Sequence, residues 1–116
     1  TMIETNTNDE NYEILKKNYN ILRNTYLLNN KKLEIVEIPM PQPIYYGDIR
    51  LPASYANFYI TNSSIIMPIF NCPEDKIAVD IFCELFPERR IIPLDSRIFI
   101  HSSGSFHCLT QQEPLI

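Results

Sequence analysis

The chain has 116 residues, of which 45% are hydrophobic and 21% charged, and its formal net charge is −4. This length suffices for one domain with one core and not for two domains. The acidic balance argues against a general nucleic-acid binder, which needs a basic face to neutralise phosphates, and no apolar run approaches the ~20 residues of a membrane span.

Hydrophobic spacing and proline positions predict an alternation of helices and strands. The helix over residues 8–26 has an apolar stripe at three- and four-residue spacing, with Thr7 or Asn8 as its N-cap. Prolines between residues 39 and 43 exclude helix and central strand. The predicted elements are, in order, a strand end (1–3), a helix (8–26), a strand (33–38), a loop (39–52), two strands (57–61 and 65–69) with a turn at Asn62-Ser63, a helix (73–86), a buried strand (91–94) and two short strands (97–100 and 106–109).

This order predicts an α/β (α+β) fold in which residues 57–94 form a ββαβ unit. The preceding helix and strand are expected to be the second half of another such unit whose start is absent. In the helix over residues 73–86, the side chains predicted to face inward are Ile77, Ile81, Phe82 and Leu85.

Three cysteines cannot all pair within one chain, and they favour reduced thiols in a cytoplasmic protein. No basic segment precedes an apolar one, so no signal peptide is predicted. Neither histidine has zinc-ligand spacing to a cysteine, and we expect no metal site. Cys83 is expected in the core of its helix, and Cys72 in an inert loop.

Cys108 is the candidate nucleophile, because it follows His107 in a polar, turn-forming segment. A thiol attacks only as the thiolate, which needs a nearby base or a lowered pKa. If residues 106–109 are extended, His107 and Cys108 point to opposite faces, and His107 is not its base. Nothing in the spacing brings His101 to Cys108 either. From the residues alone, a nucleophile and a buried small apolar side chain both remain open.

Three stretches together resemble the agmatine deiminase and bacterial-type peptidyl-arginine deiminase family. They are LPASYANFYITN (51–62), ELFPERRIIPLDSR (84–97) and SGSFHCLTQQEP (103–114). KLEIVEIPMPQP (32–43) and DENYEILKKNYNIL (9–22) fit the same pattern, so the resemblance covers nearly the whole chain. It implies a pentein, a five-bladed α/β propeller of ββαβ units around a central channel. Residues 1–116 are similar to about one and a half units at the C-terminal end of that single catalytic domain, with the N-terminal units absent.

The resemblance also implies a function. Cys108 corresponds to the family's nucleophile, and agmatine plus water would give N-carbamoylputrescine and ammonia, a step of putrescine synthesis, with no cofactor. Ser103 and Gly104 are expected to line the guanidinium pocket, although serines replace part of the family's usual glycine run here. Peptidyl-arginine deimination is the alternative with the same chemistry.

A second hypothesis comes from a different class, a catalytically incomplete fragment or structural partner. The family's histidine-x-aspartate motif and upstream carboxylates are not found in these residues, so the chain alone is expected to be inactive. It would need the remaining propeller units as its partner, besides the cationic guanidine substrate. No nucleic-acid or membrane partner is expected, and a homo-oligomer is compatible with this hypothesis.

Overall fold

A computed structural model describes residues 1–113 of the chain, as two compact units, the first over Thr1–Met40 and the second beginning at Pro41. Both units contain helices and strands. In chain order the elements are β1 (Met2–Ile3), α1 (Tyr12–Arg23), β2 (Ile38–Pro39), β3 (Tyr45–Tyr46), β4 (Ile49–Arg50), β5 (Tyr59–Ile60), β6 (Ser64–Ile69), α2 (Glu74–Leu85), β7 (Arg90–Asp95), a 3₁₀ helix (Phe99–Ser102) and α3 (Phe106–Leu109). Within residues 1–113, no helix is both long and apolar enough to cross a bilayer.

In the first unit, β1 and β2 form a parallel pair, with Met2 opposite Ile38 and Ile3 opposite Pro39. The predicted strand end at residues 1–3 is confirmed. The strand predicted over residues 33–38 is wrong in its bounds, since only Ile38 of that range belongs to β2. Prolines were predicted to exclude a central strand here, and Pro39 lies in a strand of a two-stranded sheet, which agrees with this. The N–H groups of Ile38 and Met40 on either side of it donate to the carbonyls of Thr1 and Ile3.

Helix α1 is shorter than predicted at both ends, and Thr7 and Asn8 do not cap it. Asn11 precedes the helix without a side-chain capping bond. At the other end, the side chains of Asn24 and Thr25 donate to carbonyls one turn back, so these polar groups close the helix. The predicted apolar stripe is half-buried within the helix, while Tyr26 lies beyond it.

The second unit begins with a hairpin where the sequence predicted a loop. Tyr45 pairs with Arg50 and Tyr46 with Ile49, which leaves a two-residue turn at Gly47-Asp48. Gly47 has a φ of 58°, in the left-handed region that such tight turns require. The Gly-Asp pair was therefore a hairpin signal that the proline-rich surroundings obscured.

The main sheet has the order β5-β6-β7, with β5 antiparallel and β7 parallel to the central strand β6. Together with α2 these strands confirm the predicted ββαβ unit and its turn at Asn62-Ser63. Ile65 and Met67 of β6 are fully buried. Strand β7 was predicted to be buried, but Leu94 is 44% exposed, since β7 pairs with β6 on one side.

Helix α2 confirms the predicted helix, with Pro73 before its first turn and Pro87 beyond its end. Its buried residues are Ala78 and Phe82, one turn apart. The prediction for Ile77 and Leu85 is wrong, since they are 53% and 40% exposed.

The C-terminal segment corrects two predicted strands. Residues 99–102 form a 3₁₀ helix and residues 106–109 one α-helical turn. The first forms because the Ser96 carbonyl accepts the N–H groups of Phe99 and Ile100, which turns the chain after β7. The second forms because the Ser105 carbonyl accepts the N–H of Leu109 at 3.0 Å. Pro114, the last residue of the third stretch quoted above, lies outside the described residues.

Candidate functional site

Cys108 lies on α3 and is exposed, so the described structure does not place it in the core. Residues 106–109 are not extended, so the prediction that His107 and Cys108 point to opposite faces of a strand is wrong. Neighbouring side chains on a helix differ in direction by about 100°. His107 is nevertheless held by its backbone, whose N–H donates to the Asn57 carbonyl at 3.2 Å. Its side chain lines a groove of about 310 Å³ next to Phe58 and Ile60.

Asn57 contacts Cys108 twice. The Asn57 Nδ2 donates to Cys108 Sγ at 3.2 Å, and Asn57 Oδ1 accepts the Cys108 N–H at 3.2 Å. With the bond from the His107 N–H, three hydrogen bonds join α3 to Asn57, which lies in the segment before β5. Asn57 thus holds α3 in place although it is 51 residues from Cys108 in the sequence.

Asn57 was not among the site residues predicted from the sequence. It lies inside the first stretch that carries the family resemblance, residues 51–62, which was the available signal. Spacing alone could not find it, because no local periodicity relates residues 51 positions apart.

Gly104 lies against Cys108. A Cβ added at Gly104 would sit 2.6 Å from Cys108 Cβ and 3.1 Å from its Sγ, so only glycine fits. Ser103 has a φ of 65°. A serine therefore adopts the left-handed backbone conformation that usually favours glycine. The structure thus brings Gly104 to the thiol and places the exposed Ser103 next to it in the chain.

The two histidines lie in different surroundings. His101 packs edge-on against Tyr46, with ring centroids 5.3 Å apart. Among the hydrogen bonds of the described residues, the one that reaches Cys108 Sγ comes from Asn57 and from neither imidazole.

Cys72 contrasts with Cys108. It is half-buried, and the buried Tyr55 hydroxyl lies 3.4 Å from its Sγ and donates to Asp75 Oδ1 at 2.7 Å. Asp75 also accepts the N–H groups of Phe70 and Cys72. Burial raises the pKa of the Cys72 thiol, which keeps it protonated and a poor nucleophile. The prediction for Cys83 is wrong, since this thiol is exposed on α2.

Within residues 1–113, the structure brings no three histidine, cysteine, aspartate or glutamate side chains into an arrangement that would hold a metal ion. Asn57 and Gly104, which both lie against Cys108, are uncharged. The arrangement is that of an accessible thiol held in place by an amide, with a close-packed glycine beside it. Such a thiol suits nucleophilic chemistry.

Comparison with known proteins identifies the family. The model of the family described as Porphyromonas-type peptidyl-arginine deiminase matches residues 1–114. A "Putative agmatine deiminase" of Latilactobacillus sakei is 34% identical over 125 residues, covering 91% of this chain and 34% of the relative. The solved "Putative Arginine Deiminase" of Porphyromonas gingivalis has a TM-score of 0.94 at 33% identity, covering 97% of this chain and 33% of that one.

A second solved structure is a cysteine-to-serine variant of the C. jejuni agmatine deiminase with substrate bound. It has a TM-score of 0.83 at 33% identity, covering 91% of this chain and 30% of that one. The mixed helix and strand fold described above is therefore that of solved agmatine and arginine deiminases. This chain spans about a third of the length of the relatives it matches. With an accessible cysteine next to a close-packed glycine, and a match along residues 1–114, the chain belongs to the Porphyromonas-type peptidyl-arginine deiminase family.

Proposed function

We propose that the protein containing this chain is a guanidine-modifying hydrolase, an agmatine deiminase that converts agmatine and water to N-carbamoylputrescine and ammonia. The observation that carries the proposal is the exposed Cys108 thiol, with the Asn57 amide on its sulfur and Gly104 packed against it. The curated relatives support agmatine as the substrate. This would make the protein part of putrescine synthesis.

Cys108 is the nucleophile in this proposal. Its thiolate adds to the guanidinium carbon and forms a carbon–sulfur bond, and the carbon–nitrogen bond then breaks as the leaving nitrogen takes a proton and departs as ammonia. Water next adds to the same carbon, the carbon–sulfur bond breaks, and the ureido product leaves with the thiolate restored. The Asn57 amide, which donates to Cys108 Sγ at 3.2 Å, holds the sulfur in position at the start and at the end of this cycle.

The guanidinium is bound next to the thiol. The backbone of Ser103 and Gly104 lines the pocket, because the missing Cβ at Gly104 lets this backbone lie directly against Cys108. A cation bound here also favours the thiolate by its charge. No step of this chemistry needs a metal or a cofactor.

The remaining groups come from the rest of the protein. In this proposal residues 1–116 are about one and a half ββαβ units of a single five-bladed pentein domain. The missing units supply the acid/base histidine and the carboxylates that hold the guanidinium. The isolated chain is therefore expected to be inactive, and the whole enzyme is expected in the cytoplasm, as a monomer or homo-oligomer that binds neither nucleic acid nor membranes.

Peptidyl-arginine is the second candidate substrate. The description of the matching family favours it. The chemistry at Cys108 would be the same, and the two reactions differ in what the outer pocket accepts.

The test is turnover by the full-length protein with agmatine and with an arginine-containing peptide, measured as ammonia and ureido product. Cys108→Ala should lower kcat by about 10⁴-fold or more for the true substrate, since a nucleophile has no substitute. Cys83→Ser is the matched control, because Cys83 is also an exposed thiol but lies on α2. Turnover by Cys108→Ala close to that of the unchanged enzyme would refute the proposal, and a clear preference between the two substrates selects between agmatine and peptidyl-arginine.

A further inference from the structure

Two buried serines flank the segment that leads to Cys108. Ser96 is 0% exposed and Ser105 is 1% exposed, and their hydroxyl groups form a hydrogen bond with each other. We refer to these two residues as the serine pair. Ser96 follows β7, where its N–H donates to the Ile69 carbonyl of β6 at 2.9 Å, and Ser105 directly precedes α3.

Each member of the serine pair also organises a helical turn through its backbone. The Ser96 carbonyl accepts the N–H groups that begin the 3₁₀ helix, and the Ser105 carbonyl accepts the N–H of Leu109 in α3. The rings of Phe99 and Phe106, with centroids 5.5 Å apart, pack between the same two helices. The serine pair therefore connects the start of the 3₁₀ helix to the start of α3. Ser103 and Gly104 lie in the segment between these two helices.

This junction bears on the nucleophile because the segment has little freedom. Gly104 is close-packed against Cys108, and Ser105 directly precedes the helical turn that carries the thiol. A shift of Ser105 relative to Ser96 would therefore move the thiol and the adjacent pocket wall together. The two hydroxyls satisfy each other in a site without solvent, so removing one leaves the other unpaired and buried.

We propose that the hydrogen bond between Ser96 and Ser105 positions Cys108 against the bound guanidinium, which makes both serines positioning residues for the reaction. The serine pair acts through the backbone of α3 and touches neither the thiol nor the substrate. This inference rests on the proposed hydrolase function of Cys108.

The test compares Ser96→Ala, Ser105→Ala and the double variant in the full-length protein, with the exposed turn residue Ser63→Ala as control. Each single variant should lower the midpoint of thermal unfolding by roughly 2–8 °C, because one buried hydroxyl loses its partner. The double variant should recover most of this loss, since both polar groups are gone. Its kcat should nevertheless stay about 10- to 100-fold below that of the unchanged enzyme, with KM within about threefold.

A purely structural role predicts a different result, in which the double variant recovers its kcat along with its thermal midpoint. That outcome would overturn the proposal. Amide hydrogen exchange gives a readout that does not depend on turnover. In the double variant we expect exchange over residues 103–109 to become about tenfold faster or more, while the amides of β6 remain unchanged.

Unchanged exchange over residues 103–109 would also overturn the proposal, whatever the activity. The failure of the proposed function looks different. If the unchanged full-length protein turns over neither agmatine nor the peptide, the hydrolase function is refuted, and the exchange rates still decide whether the serine pair holds the turn of Cys108.

Discussion

Replacing Gly104 with alanine should damage the site more than any other single-carbon change near Cys108. The added Cβ would lie 2.6 Å from Cys108 Cβ, whereas ordinary van der Waals contact begins at 3.4 Å. Cys108 or the backbone at Gly104 would therefore have to move by about 0.8 Å, the difference between these two distances. Cys108 Cβ and the Gly104 backbone are not at the free end of a flexible side chain, so neither can move aside alone. The strain therefore spreads into α3.

The magnitude follows from two known effects. Overpacking of this kind costs about 1–3 kcal/mol of unfolding free energy, and a displacement of about 1 Å at a reacting atom can lower kcat by about 100-fold. We expect Gly104→Ala in the full-length protein to lower kcat by about 30- to 100-fold with agmatine. The assay measures kcat by ammonia release and stability by urea unfolding.

Gly47→Ala is the matched control. Gly47 has a φ of 58° and nothing within 4 Å of an added Cβ, so this variant adds backbone strain without a clash. It should lose about 1 kcal/mol of unfolding free energy and keep its kcat. If Gly104→Ala keeps the kcat of the unchanged enzyme, Cys108 is not held as closely as the structure indicates, and the reasoning is refuted.

Two further predictions concern the buried cluster of Tyr55, Cys72 and Asp75. Tyr55→Phe should lower the unfolding free energy by about 1–3 kcal/mol, because Asp75 loses the hydroxyl that donates to it at 2.7 Å. An unchanged midpoint of urea unfolding would contradict this prediction. The free energy of unfolding should also fall as the pH rises above 9.0, the ordinary pKa of a thiol. Burial raises the pKa of Cys72 in the folded chain, so the unfolded chain loses this proton at a lower pH and is favoured at high pH. Urea midpoints between pH 7 and pH 10 measure this decline, which should be smaller in Cys72→Ser and unchanged in Cys83→Ser. An equal decline in all three proteins would show that another group causes it.

The three thiols of this chain show how surroundings separate residues of the same type. Cys72 is half-buried beside a carboxylate and a tyrosine, and its pKa is raised by burial. Cys83 is exposed on α2, and Cys108 is exposed with an amide donor on its sulfur. Only the last combines access for a substrate with an amide side chain that holds its sulfur in place. Composition could count these thiols but could not distinguish them.

Local sequence determined the elements whose signals are local. Helix α2 lies between Pro73 and Pro87 as predicted, because proline is tolerated at the start of a helix and cannot continue it. The turn at Asn62-Ser63 also follows from its own residues, and the β-branched strand β6 is recognisable from its composition. The family resemblance, carried by three long stretches, located Cys108 and Gly104, and the match of residues 1–114 confirms the family.

Tertiary structure decided what depends on distant partners. Residues 106–109 have an apolar pattern that suits a strand, yet they form a helical turn because the N–H groups of His107 and Cys108 find acceptors on Asn57. That partner lies 51 residues away, and hydrophobic periodicity carries no information over such a distance. The burial of Ser96 and Ser105 is of the same kind, since two small polar residues become a buried pair only where the end of β7 meets the start of α3. The candidate nucleophile Cys108 was thus readable from the sequence, while the contacts that hold it in place became apparent only in the folded chain.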